Sequence, residues 1–225
     1  MRGDMPRVEP DPTQRQCMRR ASTHDVDALI GICRQGFPDS LRWHGIRSVA
    51  VNWWTTAIDT EAAETWVHAP DDVISGVALL VIDRDLWSRE GIRRKVGAGR
   101  VLASSLMHPG RAVGVLRKKI VARLAPRRNP ISASTTDVPA RTAWLEIIAV
   151  LPSMRGRGIA RRLMEVCEGR TQELGCAAIG LCVDPQNESA IRLYETMGYV
   201  RGARTCSGWT YVKRLSQAVL PRQTC

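Results

Sequence analysis

The chain has 225 residues, 44% of them apolar, and a formal net charge of +11. That length supports one good core with room for a long insertion, rather than several domains. No stretch approaches the ~18 consecutive apolar residues of a membrane span, and seven cysteines without a C-x-x-C pair argue against a zinc site or a disulfide framework.

Residues 1–16 hold Asp4, Glu9, Asp11 and three prolines with no apolar core, so they read as a disordered leader and not as a secretory signal. With cysteines placed in apolar periodic segments, the expected compartment is a reducing cytoplasm. Residues 17–21 read as a short strand. Ser22 and Asp25 form a loose capping box ahead of a helix with Val26, Leu29, Ile30 and Cys33 on one face. A second helix is expected over 46–58 with Val49, Trp53 and Ala57 inward. Strands follow over 65–68 and 73–83, the latter nearly continuous in apolar residues and so buried on both faces.

The charge is concentrated. Between Trp87 and Pro130 stand twelve basic residues against Glu90 alone, which equals the whole net charge of the chain. Helices are expected over 101–107 and 112–124 and a linker over 129–141. Such a segment faces solvent or an anionic partner. Its readings are a solvated surface, a phosphorylated or lipid-linked acceptor, an anionic membrane surface met by the apolar stripe Leu116, Ile120, Val121 and Leu124, or nucleic acid.

From Thr142 the pattern tightens into a strand over 144–150 and a helix over 158–174, with Ile159, Leu163, Val166, Cys167 and Leu174 inward. A strand over 176–183, a helix over 187–197 and a hairpin over 200–215 complete it. Strand and helix alternate in this half behind an αβ first half, which makes the class α/β with a mixed central sheet.

The run Arg155-Gly156-Arg157-Gly158-Ile159-Ala160 opens the 158–174 helix directly after a strand. The first amides of a helix lack internal acceptors and sit at the positive end of the macrodipole, a place for phosphate oxygens. Gly156 and Gly158 let the backbone approach, Ala160 keeps one wall low, and Arg155 and Arg157 add charge. A Walker loop would need Gly-Lys-Ser/Thr, and a dinucleotide fingerprint would need glycine where Arg161 stands. A plain basic turn remains the alternative. The four histidines show no metal-ligand spacing, no metal is expected, and no G-x-S-x-G elbow occurs. Asn187 is the N-cap candidate of its helix.

Residues 144–215 resemble the acyl-CoA-binding half of the GNAT superfamily of N-acyltransferases. The cofactor pattern Arg/Gln-x-x-Gly-x-Gly/Ala is matched by Arg155, Gly158 and Ala160. Ala149, Val150 and Pro152 before it, and Asn187, Ala190, Leu193, Tyr194, Glu195, Gly198 and Tyr199 after it, match further marks in order. The resemblance is weaker over 17–83. It implies a single GNAT-like domain over 17–216, with a splayed strand pair, flanking helices, a basic helical insertion over 84–141 and a tail over 217–225.

By that resemblance the cosubstrate is acetyl-CoA, whose pantetheine arm would pair with backbone at Ile148, Ala149 and Val150 and whose diphosphate would lie on residues 155–160. The reaction implied is direct transfer of acetyl to a primary amine on a small-molecule or sugar-linked acceptor. The alternative is a non-catalytic acyl-CoA sensor or nucleic-acid-binding module. Glu146 lies two residues before Ile148, so strand period places both on one face, and some family members draw a base from this strand. Tyr194 occupies the usual general-acid position, Asn187 the place that touches the pantetheine or phosphate arm, and Tyr199 a structural one. Neither the sequence nor the resemblance fixes the oligomeric state.

Overall fold

A computed structural model describes residues 17–37, 47–90, 138–205 and 208–216. The expected leader, the tail and the two helices of the basic insertion lie outside the described residues. The strands are β1 (Met18–Arg20), β2 (Ala63–His68), β3 (Gly76–Val81), β4 (Thr142–Val150), β5 (Ala178–Val183), β6 (Val200–Thr205) and β7 (Gly208–Arg214). The helices are α1 (Val26–Gly36), α2 (Arg47–Asp59), α3 (Ile159–Glu173) and α4 (Glu188–Thr196). Residues 84–90 are also helical.

One seven-stranded sheet runs β1-β2-β3-β4-β5-β7-β6. Every neighbouring pair is antiparallel except β4 and β5. Two parallel strands need a crossover, and α3 is that crossover. The mixed α/β sheet expected from the alternation of elements is the observed one.

Two apolar clusters lie on opposite faces. On one, Leu29, Ile30 and Cys33 of α1 and Ala50, Trp54 and Ala57 of α2 pack on Val67, Val77, Leu79, Trp144, Ile147 and Ala149. On the other, Ile159, Leu163, Met164 and Cys167 of α3 join Tyr194 of α4 over Ala78, Leu80, Leu145, Val150, Leu181 and Tyr211. β3 is buried along its whole length, as its unbroken apolar run implies.

Local chemistry explains the helix starts. The Asp25 carboxylate accepts from the Ser22 backbone N–H at 2.7 Å, the reciprocal contact of a capping box. It also takes two bonds from Arg19, at 2.7 and 2.9 Å. α2 turns its stripe by one residue from the expected one: Ala50, Trp54 and Ala57 are buried. Trp53 is instead half-buried, edge-on to Trp54 at 4.8 Å and to Trp87 at 6.0 Å between centroids. An indole on either position satisfies the same apolar period, and contact with the 84–90 helix decides between them. In α3, Met164 and Thr171 are buried where Val166 and Leu174 were expected. The far end of α3 is tied to the sheet by Glu64, a buried carboxylate 2.7 Å from Arg20 and 3.1 Å from Arg170. Among the described residues no helix is long and apolar enough to cross a membrane.

Candidate functional site

β4 pairs with β3 to its end, Val150 opposite Gly76. Its parallel ladder with β5 stops earlier, at Leu145 opposite Leu181. A wedge therefore opens between β4 and β5 beyond those residues. Leu151 N–H donates to the Ser75 carbonyl at 2.9 Å, which sets the phase of the β3–β4 ladder. Residues 147, 149 and 151 point their backbone groups at β3, and Ile148 and Val150 point theirs into the wedge. Arg155 Nε reaches the Val150 carbonyl at 3.5 Å.

The strand carries a bulge. Leu79 stands opposite Ile147 and Leu80 opposite Leu145, so Glu146 has no counterpart on β3. Trp144 and Ile147 consequently share one face, and Leu145 and Ile148 the other. Strict alternation, the expected ground for placing Glu146 with Ile148, does not hold through this stretch: an extra residue breaks the period of two. Glu146 is exposed at the root of the wedge.

Past β4, residues Pro152–Met154 form one 3-10 turn, and the chain bends through Gly156 (φ 77°) and Gly158 (φ 73°) into α3. Left-handed backbone at both positions is the reason they are glycines. The bend is exposed from Arg155 to Gly158, while Ile159 is buried. No backbone N–H from Gly156 to Arg161 meets a protein acceptor among the described residues. The first amide bonded inward is that of Arg162, to the Gly158 carbonyl at 3.1 Å. Arg162 also reaches back with Nη2 to the Arg157 carbonyl at 3.1 Å, bracing the bend. Arg161 Nη2 donates to Thr196 Oγ1 at 3.3 Å, tying the start of α3 to the end of α4. Neither arginine stood out in the sequence, because both bonds depend on where the bend turns.

α4 begins as expected, with the Asn187 side chain accepting from Ala190 N–H at 3.2 Å. Its carbonyl oxygen is therefore committed to capping, and the side-chain amide donors remain for a ligand. At the other end the Tyr194 carbonyl receives Met197 N–H at 3.1 Å and Tyr199 N–H at 3.0 Å. The Tyr194 ring is 5% exposed and sits 6.0 Å from Tyr199 and 6.2 Å from Tyr211. Burial pushes its hydroxyl up to about 12. Tyr199 is packed shut, its hydroxyl raised far above the ordinary range by burial and by the Glu168 carboxylate.

Arg84 was not singled out in the sequence. Its guanidinium lies over the Trp144 ring, 4.3 Å from the centroid. Burial lowers its pKa, opposed by the charges of Glu146, Cys182 and Asp85. Cys182, expected on an apolar face, is exposed beside the wedge. Burial pushes the Cys33 thiol to about 12 and raises those of Cys167 and Cys176, so these three are poor nucleophiles.

Residues 28–199 match the family described as "Acetyltransferase (GNAT) family". GCN5-related N-acetyltransferase 4, chloroplastic, of Arabidopsis thaliana is 33% identical over 105 residues, covering 47% of this chain and 34% of the relative. N-alpha-acetyltransferase 30 of Saccharomyces cerevisiae is 34% identical over 85 residues, 38% of this chain and 43% of the relative. The chain thus spans less than half of these two relatives. Among solved structures, PaiA N-acetyltransferase from Thermoplasma acidophilum in complex with coenzyme A superposes with a TM-score of 0.56 at 14% identity. That match covers 88% of this chain and 98% of the other and speaks for the fold.

Proposed function

This chain belongs to the acetyltransferase (GNAT) family, and from that premise we propose that it transfers an acetyl group from acetyl-CoA directly to a primary amine. The family uses acetyl-CoA as its cosubstrate. The observation that carries the reading is the row of uncommitted amides from Gly156 to Arg161 beside an open wedge in the sheet.

The residues present fit such a ligand. The amides at the start of α3 supply donors for diphosphate oxygens, with the helix macrodipole and the Arg155 and Arg157 guanidiniums behind them. Ile148 and Val150 offer backbone groups to an extended arm lying in the wedge, while Asn187 offers its remaining donors where α4 begins. Bound there, acetyl-CoA supplies the activated acetyl group. An N–H at Ile148 donates to the thioester oxygen as negative charge builds on it, an interaction typically worth ~10²–10³ in rate.

The acceptor amine has an ordinary pKa near ~10 and arrives mostly as ammonium. Glu146, exposed where the wedge begins, takes its proton directly or through water. The C–N bond then forms, the C–S bond breaks, the electron pair stays with sulfur, and the second proton shed by the nitrogen passes through solvent to the thiolate, leaving amide and free thiol. The Tyr194 hydroxyl donates a hydrogen bond to that sulfur. With its pKa at about 12, against ~8.5 for a thiol, it stabilises the thiolate without surrendering its proton.

The test is continuous detection of free thiol from acetyl-CoA, with and without primary amines. Release that requires the amine, and falls at least about tenfold in Glu146→Gln, is the expected result. Tight coenzyme A binding with no thiol release from any amine would overturn transfer in favour of a sensor on the same fold.

A further inference from the structure

We infer that Arg84 selects the acceptor, and that the amine acetylated by this chain carries a carboxylate or phosphate close to its amino group. The inference rests on the acetyl-transfer reading above and assigns its substrate class.

The two faces of the sheet set the direction of approach. The bend at Gly156–Gly158 leads into α3, which packs on the face of Leu145 and Val150. Trp144 belongs to the opposite face, the one covered by α1 and α2. An acyl chain entering the wedge from the α3 side therefore meets its acceptor on the side of Trp144, and that is where Arg84 lies.

Arg84 is held in an unusual way for a recognition residue. Its guanidinium carbon stands over the Trp144 ring, and that ring is itself seated against Gly180 of β5. A Cβ at Gly180 would come within 3.0 to 3.2 Å of three ring atoms, so only glycine leaves the indole its full depth. Yet the guanidinium makes no hydrogen bond or ion pair among the described residues. Its edge, with five N–H donors in a planar fork, remains open. A fork held on an indole with its donors unspent suits bidentate capture of carboxylate or phosphate, with little ordering left to do.

Glu146 is the complement. Its charge and that of Asp85, the next residue in the chain, are both felt at Arg84, and neither carboxylate forms an ion pair with it. A positive and a negative group that feel each other's charge where the wedge begins match an acceptor with an ammonium and an anion, the ammonium toward Glu146. A second cation on the acceptor would instead face Arg84 and be repelled.

The experiment compares four amines sharing one two-carbon spacer: O-phosphoethanolamine, β-alanine, ethanolamine and ethylenediamine. Acetyl-CoA thiol release is measured with the full chain and with Arg84→Met and Arg84→Lys. The expected order of kcat/KM is the two anionic amines first, then ethanolamine, then ethylenediamine. Arg84→Met should cut the anionic amines by about tenfold to a hundredfold and leave ethanolamine within about twofold. Arg84→Lys, which keeps the charge but loses the fork, should fall between. Whichever of β-alanine and O-phosphoethanolamine loses more identifies the anion as carboxylate or phosphate. Equal wild-type rates on all four amines, or an Arg84→Met loss as large on ethanolamine as on β-alanine, would overturn the selection while leaving acetyl transfer intact. No thiol release with any of the four, while another primary amine supports it, would overturn the selection alone; no release with any primary amine would overturn both.

Discussion

The Tyr194 ring lies 6.2 Å from that of Tyr211, and Tyr211 stands opposite Leu181, the residue at which β5 stops pairing with β4. The phenol of α4 is thereby stationed over the root of the wedge. Its packing is aromatic and its hydroxyl makes no hydrogen bond among the described residues. Removing the oxygen should therefore disturb the donor and little else.

For Tyr194→Phe we expect kcat to fall about tenfold or more, with coenzyme A affinity within about twofold of wild type by calorimetry. Because burial holds the hydroxyl at about 12, it remains protonated through neutral pH. The wild-type rate profile should accordingly lack a Tyr194 limb below about pH 11. Equal turnover of the two proteins would reduce Tyr194 to a packing residue.

At Gly158 two effects can be separated. Its φ of 73° penalises any side chain by roughly 1–2 kcal/mol, whatever its charge. Gly158→Ala carries that strain alone and should weaken coenzyme A binding by less than about tenfold. Gly158→Glu adds bulk and a negative charge at the row of amides and should weaken it by more than about a hundredfold. Titration calorimetry on both variants, with far-UV circular dichroism to verify folding, checks this. Matching affinities for the two would remove the diphosphate from the bend.

Asp25 makes a pH-dependent contribution to stability. Hydrogen bonds from Arg19, ahead of the opposing cost of burial, lower its pKa from 3.8 to about 2. A carboxylate depressed in the folded state stabilises above its unfolded pKa and loses that contribution as pH falls through the folded value. The window is therefore about pH 4 down to about pH 2. Asp25→Asn should cost on the order of 2 kcal/mol at pH 7 in urea unfolding, and the gap from wild type should close by about pH 2. A gap that persists unchanged at low pH would assign the loss to packing.

Much of this site was legible in the residues. The apolar run into Pro152, the two glycines and the amphipathic period after them specify strand, bend and helix, and the amides are free for the reason any first turn leaves them free. The bulge was not legible. In Leu145-Glu146-Ile147-Ile148 a polar residue fits a regular strand as well as a bulged one, and only the register against Leu79 and Leu80 distinguishes them. Arg84 was hidden for another reason. It precedes β4 by a long basic stretch, and a cation settles on an indole distant in sequence without leaving any periodic trace. The one-residue turn of the α2 stripe is of the same kind, since both registers place a tryptophan inward.

Among the described glycines, Gly208 is the position where a side chain would meet the backbone most closely. A Cβ there would stand 2.0 Å from the Val183 carbonyl oxygen, at a φ of 138°. Gly208→Ala should break the end of the β5–β7 ladder and either cost several kcal/mol or prevent soluble expression. Gly202→Ala is the matched control, with its nearest contact an ordinary 3.7 Å from the Thr210 carbonyl, and should shift stability by no more than about 1 kcal/mol. Denaturant unfolding of both decides. Equal midpoints would show that the hairpin relocates at no cost.

The supernumerary residue of β4 makes the strand tolerant of a change in length at that one point, in a way that substitutions do not reveal. Losing one codon at Glu146 would restore a regular repeat and leave the downstream pairing as it is, since Leu145 already faces Leu80 and Ile147 already faces Leu79: what would go is the local kink and the carboxylate at the root of the wedge. Relatives that lack this one position should therefore keep the loop before Pro152 as it is, whereas a residue lost between Ile147 and Val150, where no bulge absorbs the change, would turn the groups lining the wedge onto β3.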